Sequence, residues 1–338
     1  MTPGSVIPGP PVIPGPTGNL PLSHDISDYP DGIVLAVDKP YRWTSADVIR
    51  KLKYAAIKHF GKKNLKVGHA GTLDPLATGV LLVCIGNACK RAQELQDHPK
   101  EYIARIRFGA TTPSYDLEKE VDRRFPYEHI TASSVRDALP AFLGEQEQVA
   151  PLFSAKSVDG VRAYELARKL YKASKASSPV IPGPDRESQF DSAALETLQR
   201  NKIVISELEL LDFSAGDGTV VPESVATLGH VRGRGPEQAQ SAGAWEGSRS
   251  DDSGTTVPSS AQSTASSRIN VADTSALGLP EAVIRIACSK GTYIRAFARD
   301  LGESLGSGAH LGGLIRTCSG SFRIEDALSL DQALALLQ

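Results

Sequence analysis

No run of about 18 consecutive apolar residues occurs anywhere in the 338-residue chain, so no segment reads as a membrane-spanning helix. The chain opens without the basic-then-apolar pattern of a secretion leader, which makes the cytoplasm the expected location. Cysteine is scarce. Cys84, Cys89, Cys288 and Cys318 are spaced for neither a disulfide framework nor a Cys-x-x-Cys metal knuckle, and they read as buried thiols in a reducing compartment. Positive charge is not in excess either: 37 Lys and Arg stand against 39 Asp and Glu, a net −2 that taken as a total argues against a polyanionic partner.

The total hides an uneven distribution. Residues 1–30 hold eight of the 22 prolines and no Lys or Arg, and Val-Ile-Pro-Gly-Pro occurs at Val6 to Pro10, at Val12 to Pro16 and again at Val180 to Pro184. Such a unit reads as extended and solvated, so 1–30 is expected to be a disordered tail. Residues 214–280, rich in Ser, Gly, Ala and Thr, have too few large apolar side chains to offset their ordering entropy; they and a stretch at about 174–199 read as disordered insertions. The 214–280 stretch carries four basic and seven acidic residues and the tail carries only Asp25 and Asp28, so the remaining 241 residues are net +3. Seven of those cations (Arg50, Lys51, Lys53, Lys58, Lys62, Lys63, Lys66) fall between positions 50 and 66, with no acidic residue among them. What remains is of single-domain size, residues 31–338 with two interruptions.

Within it, hydrophobic periodicity predicts a strand over Gly32 to Asp38 and a helix capped at Thr44-Ser45 that carries Val48, Leu52, Ala55 and Ala56 on one face. Strands are predicted at Leu65 to Gly68, at Val80 to Gly86 and at Glu101 to Gly109. In the last of these Tyr102, Ala104, Ile106 and Phe108 share one face, with Arg105 and Arg107 on the other. Helices are predicted at 131–143 and 160–171, and strands at 202–212 and 281–288 as hairpin arms around the long insertion. A last helix is predicted from Tyr293 to Leu305, where Arg295 and Arg299 share a face and Arg299 reads as a surface ion-pair former. The pattern is that of an α/β or α+β enzyme domain.

Chemistry is expected in the segment Gly68-His69-Ala70-Gly71-Thr72-Leu73-Asp74-Pro75-Leu76-Ala77-Thr78-Gly79. Three glycines and an Asp-Pro make a shaped loop between two strands, the usual seat of catalytic side chains. Read alone, Asp74-Pro75 is a turn former, His69 a hydrogen-bonded structural residue and Tyr102 a core tyrosine.

The string GHAGTLDPLATGVLLVCIG resembles the catalytic motif of the TruB-type tRNA pseudouridine synthases. Lys39-Pro40 with Trp43-Thr44-Ser45, and Lys100-Glu101-Tyr102 with Gly109, are similar to further family blocks. So are Pro151 to Ala155 with Arg162 to Arg168, Cys288 to Arg295, and Gly308-Ala309-His310 through Leu314, Arg316 and Thr317. Two positions depart from the pattern: Ser157 stands where a lysine is usual, and Ile315 where an arginine often precedes Arg316. The resemblance implies an α+β pseudouridine synthase fold with a central mixed or antiparallel sheet flanked by helices. It also implies isomerisation of uridine 55 in the T arm of tRNA without metal or cofactor, by a monomer needing no protein partner and no membrane. By the same resemblance Asp74 is the catalytic carboxylate, Arg295 its ion-pair partner and Tyr102 the stacking ring. His69, Tyr293, Leu314, Lys39 and Arg316 are then substrate-binding residues. The resemblance is to short bacterial forms in particular, and no C-terminal PUA domain is expected. A guide-dependent rRNA synthase and a non-catalytic tRNA-binding or folding factor of the same fold are the competing readings.

Overall fold

The computed structural model describes residues 22–151, 157–158, 161–162, 200–216 and 269–338. In chain order the strands are β1 Ile33–Lys39, β2 Val67–His69, β3 Ala77–Ile85, β4 Lys100–Phe108, β5 Ala110–Thr111, β6 Arg123–Arg124 and β7 Gly144–Val149. They continue with β8 Ser157–Val158, β9 Val161–Arg162, β10 Arg200–Ser214, β11 Glu281–Cys288, β12 Ala309–Ser319, β13 Phe322–Arg323 and β14 Leu328–Ser329. The helices are α1 Ser45–His59, α2 Ala92–Asp97, α3 Ala132–Ala138, α4 Ile294–Ser304 and α5 Leu330–Ala335.

One mixed sheet runs β14-β1-β3-β12-β4-β11-β10-β7, with β2 added beside β3 and β13 beside β12. The β1–β14 and β3–β12 pairs are parallel and the other pairs of this sheet are antiparallel. The α+β class expected from sequence is the one observed. Strands β1 and β3 are buried on both faces, which explains their unbroken apolar runs. Ile33, Leu35, Val37, Leu81 and Val83 face a large core shared with Val48, Leu52 and Ala56 of α1 and Phe297 and Leu301 of α4. Val34, Ala36, Val80, Leu82 and Cys84 face a smaller core with Leu95 of α2 and Phe322. Strand β4 alternates throughout, as its sequence predicts, with Tyr102, Ala104, Ile106 and Phe108 inward.

Helix α1 starts where expected. Thr44 accepts from the Asp47 N–H while Asp47 accepts from the Thr44 N–H, a reciprocal capping box. Strands β10 and β11 pair antiparallel out to Ser214 opposite Glu281, so they do form the arms that bracket the insertion. Cys84 and Cys288 are buried, Cys89 and Cys318 half-buried, and all four are free thiols.

Four expectations need correction. The tail does not extend to residue 30: Leu22 is buried with its N–H on the Leu336 carbonyl, and Ile26–Asp28 form a 3-10 turn capped by Asp25. Likewise the 214–280 stretch is built into the fold at both ends, since Gly216 abuts Gly278 and Ala272 and Thr274 are buried. The helix predicted over 131–143 gives way at Pro140, which has no N–H to donate, to a 3-10 turn at Leu139–Phe142. The helix predicted from 160 does not begin there, because Val161–Arg162 pairs as a strand with Ser157–Val158. Residues 1–21, 163–199 and 217–268, which hold most of the expected tail, insertions and Arg162 to Arg168 block, lie outside the described residues.

Strand β12, the centre of the sheet, has no apolar run to announce it. Its Gly312 is required by packing, since a Cβ there would stand 2.9 Å from Arg107 Nε on neighbouring β4. At Gly79 both conformation and space demand glycine: φ is +99° and a Cβ would lie 2.2 Å from the Arg316 carbonyl oxygen. Gly79→Ala is therefore expected to lower the unfolding free energy by more than about 1 kcal/mol in urea denaturation, as alanine does where φ is positive.

Candidate active site

The loop between β2 and β3 is shaped by contacts from behind. Ser45 Oγ accepts from the Leu73 N–H (2.9 Å) and donates to the Leu73 carbonyl (3.0 Å), fixing the backbone next to Asp74. Lys39 is fully buried and Nζ donates to the carbonyls of Pro40 (3.0 Å), Trp43 (2.6 Å) and Pro75 (3.2 Å). Burial pushes Lys39 down to about 7, against the attraction of Asp74 and Asp38. Three carbonyl acceptors nevertheless match the three protons of the ammonium form. Arg316, also buried, gives Nε to the Val80 carbonyl (2.7 Å), Nη2 to Gly71 (3.1 Å) and Nη1 to Thr72 (3.4 Å). Lys39 and Arg316, expected at the substrate, thus spend their donors on holding the loop.

Asp74 stands at the exposed edge of that loop with 38% of its side chain accessible. Its Oδ2 is 2.9 Å from Nε of Arg295, on the first turn of α4, and the Arg295 side chain is only 6% accessible. The contact is an ion pair by distance, with the Nε–H not aligned on the oxygen. Arg295 Nη1 turns to the Ser114 carbonyl (3.2 Å) and lies 3.7 Å from Asp116 Oδ2. Burial disfavours the Arg295 cation, but Asp74, Asp116 and Glu118 outweigh it and hold its pKa above the ordinary value. Asp116 is buried and raised, burial winning over the neighbouring guanidinium. Its Oδ1 accepts from Ser114 Oγ (2.6 Å) and the Glu118 N–H (2.9 Å).

Asp74, Arg295 and Leu314 line one cleft, together with Tyr41, Asp116 and Leu117. The backbone of Gly312 and Gly313 completes its wall. Tyr102 lies beneath, not among the lining residues. It is buried in β4 opposite Arg316, and burial raises its hydroxyl pKa above the ordinary range. Tyr293 precedes α4, where its backbone N–H and carbonyl are both held by the buried Gln148 amide (2.8 and 3.1 Å). His69 ends β2, its pKa lowered by burial and by Arg316. Neither Tyr293 nor His69 lines the cleft. Arg299 is not the surface pair former expected: it is mostly buried, bonded to Asp300 and the Val149 carbonyl, and sits 5.5 Å from the Tyr115 ring.

The sequence reading missed Tyr41, Asp116, Leu117 and Gln148. Asp116 sits in a polar loop, Thr112-Pro113-Ser114-Tyr115-Asp116, whose one available signal is a carboxylate shortly after the turn formers Pro113 and Ser114, and that signal is common. Tyr115 and Arg42 are the non-glycine residues with positive φ (54° and 63°) among those described, and both border the cleft loops.

Glu118 yields a test of this electrostatic arrangement. Burial first, then the Asp116 charge, push it up to about 7 from 4.5. A carboxyl raised in the folded state stabilises the fold at low pH and loses that contribution as pH rises through about 4.5 to 7. Glu118→Gln keeps the neutral form, so its unfolding free energy relative to wild type should increase from pH 4.5 to pH 7.5 in urea titrations. A pH-independent difference would remove Glu118 from the charge cluster.

The matching family model is described as the N-terminal domain of TruB family pseudouridylate synthases and covers residues 57–181. A protein named tRNA pseudouridine synthase B from Phocaeicola vulgatus is 41% identical over 304 residues, 90% of this chain and 92% of that one. The Bacteroides thetaiotaomicron protein of the same name is 41% identical over 89% of this chain and 91% of its own. The Thermus thermophilus protein, again so named, is 35% identical over 87% and 75%. With this identity running across nearly the whole chain, and with the Asp74 loop and Arg295 brought together in one cleft, the protein belongs to the TruB family of pseudouridylate synthases.

Proposed function

We propose that the protein converts uridine 55 in the T arm of tRNA to pseudouridine, with Asp74 as the carboxylate that breaks the N-glycosidic bond. The observation that carries this reading is the Asp74–Arg295 pair: an accessible carboxylate in a small cleft, 2.9 Å from a cation that is itself buried and anchored to Asp116. Relatives that are 35–41% identical and named tRNA pseudouridine synthase B support tRNA as the substrate.

In the isomerisation the N1–C1′ bond breaks, the uracil turns, C5 bonds to C1′, and the proton leaves C5 while N1 gains one, so no atom is lost and no redox partner is required. Attack of Asp74 on the sugar and its action as a base towards a glycal both satisfy this balance. The apolar side chains of Leu314, Leu117 and Tyr41 in the cleft wall suit contact with a detached planar base. Tyr102 is assigned the stacking role because it shares a strand face with Ala104, the register partner of cleft-lining Leu314. Extraction of the uridine costs a few kcal/mol of unstacking, and His69 at the tip of β2 is assigned to the vacated place in the RNA.

Phosphates have a separate surface. Lys53, Lys63 and Lys66 line an open groove that reaches Gly68, the residue before His69.

Asp74→Asn is expected to abolish release of C5 tritium from a labelled T-arm transcript while leaving RNA retention largely intact. A near-normal rate would overturn the assignment. Arg295→Met should also inactivate, and it should cost about 3–5 kcal/mol of stability because Asp116 is left as a buried charge without its cation.

A further inference from the structure

The chain comes back from residues 217–268 directly onto the cleft. Arg42 Nη2 donates to the Ile269 carbonyl (2.6 Å), the Ala272 N–H to the Leu117 carbonyl (2.7 Å), and Arg107 Nη1 to Thr274 Oγ1 (2.7 Å). Ala272 and Thr274 are buried. Each partner belongs to the cleft or adjoins it: Arg42 follows Tyr41, Leu117 lines the cleft, and Arg107 lies under Gly312.

Arg42 is the unusual member of this set. Its φ of 63° is a conformation that glycine adopts freely and arginine does not. Its backbone N–H donates to the Pro75 carbonyl (3.0 Å), one residue past Asp74. The backbone turn by itself calls for glycine, so the side chain is what justifies arginine at this position. A single residue therefore links the returning segment, through its guanidinium, to the catalytic loop, through its N–H.

We propose that Arg42 is a positioning residue: it clamps residues 269–274 against the cleft and thereby fixes Tyr41 and the Asp74–Pro75 turn in the reactive arrangement. The chain that returns from the long insertion is on this account part of the active-site wall. The activity readout rests on the uridine-isomerase reading; the exchange readout below does not.

Arg42→Gly separates clamp from backbone, because glycine keeps the φ and the N–H to Pro75 while removing the guanidinium. The variant should fold with a melting temperature at or above that of wild type. Hydrogen exchange at the Ala272 amide should accelerate, and kcat should fall by up to about 100-fold with KM little changed, the signature of lost alignment. Arg42→Lys, which retains a cationic donor nitrogen on a long stem, should recover part of both. Wild-type protection of Ala272, or wild-type kcat, in Arg42→Gly would overturn the proposal. So would unfolding of that variant, since glycine is the residue its φ favours. If Asp74→Asn retains activity, the proposed function fails while the exchange experiment still decides the clamp.

Discussion

The buried guanidinium of Arg295 is the constraint on which the site depends. A cation removed from water is tolerated only where charges and acceptors replace its hydration, and Arg295 finds them in two chain segments: Asp74, and the loop that carries both Asp116 and the Ser114 carbonyl. Each segment must then be held in register. Gln148 ties the backbone at Tyr293 and so sets where α4 begins; Asp116 is locked by Ser114 and the Glu118 N–H; the Asp74 loop is braced by Ser45, Lys39 and Arg316. The accessible carboxylate is thus the outer end of a chain of contacts whose other members are buried.

Regular secondary structure is largely absent from this arrangement, and the reason is geometric. Helix and strand spend their backbone groups on themselves, whereas here the carbonyls of Gly71, Thr72, Pro75 and Ser114 serve as acceptors for cationic side chains. Left-handed residues at Arg42 and Tyr115 turn the chain where those carbonyls must point inward. Such turns persist because the surrounding contacts over-determine them.

Much of the frame was legible in the sequence because burial there follows a simple period. The runs of β1 and β3, the alternation of β4, the cap of α1 and the hairpin arms β10 and β11 all follow from side-chain spacing. Strand β12 was not legible: its Gly312 and Gly313 are set by the arginines of β4 crossing beneath, a tertiary fact that no local pattern encodes. Resemblance singled out Asp74, Arg295 and Leu314, and all three line one cleft. It could not show that Lys39 and Arg316 face backbone carbonyls, because a motif records which residues occur and not what their donors meet. Asp116 and Gln148 escaped for the complementary reason, being polar residues in unremarkable loops that acquire meaning only through a partner more than 140 positions away.

The charge balance takes on a spatial sense in this frame. Near the cleft the strong cations are held by local partners: Arg295 faces two aspartates, Arg105 and Arg107 share Glu281, and Arg316, Lys39 and Arg42 donate to backbone carbonyls. The lysines of the neighbouring groove have no such partners among the described residues, and they stay available to an external anion. A nucleotide divides the same way, into an uncharged base and a charged backbone. Unpaired cations at the cleft itself would draw phosphate towards Asp74, the carboxylate proposed to act. On the proposed function, keeping the two surfaces apart would let Coulomb attraction act on the RNA backbone while the cleft takes the base. A net −2 for the chain is compatible with this because attraction is set by local potential and not by the sum.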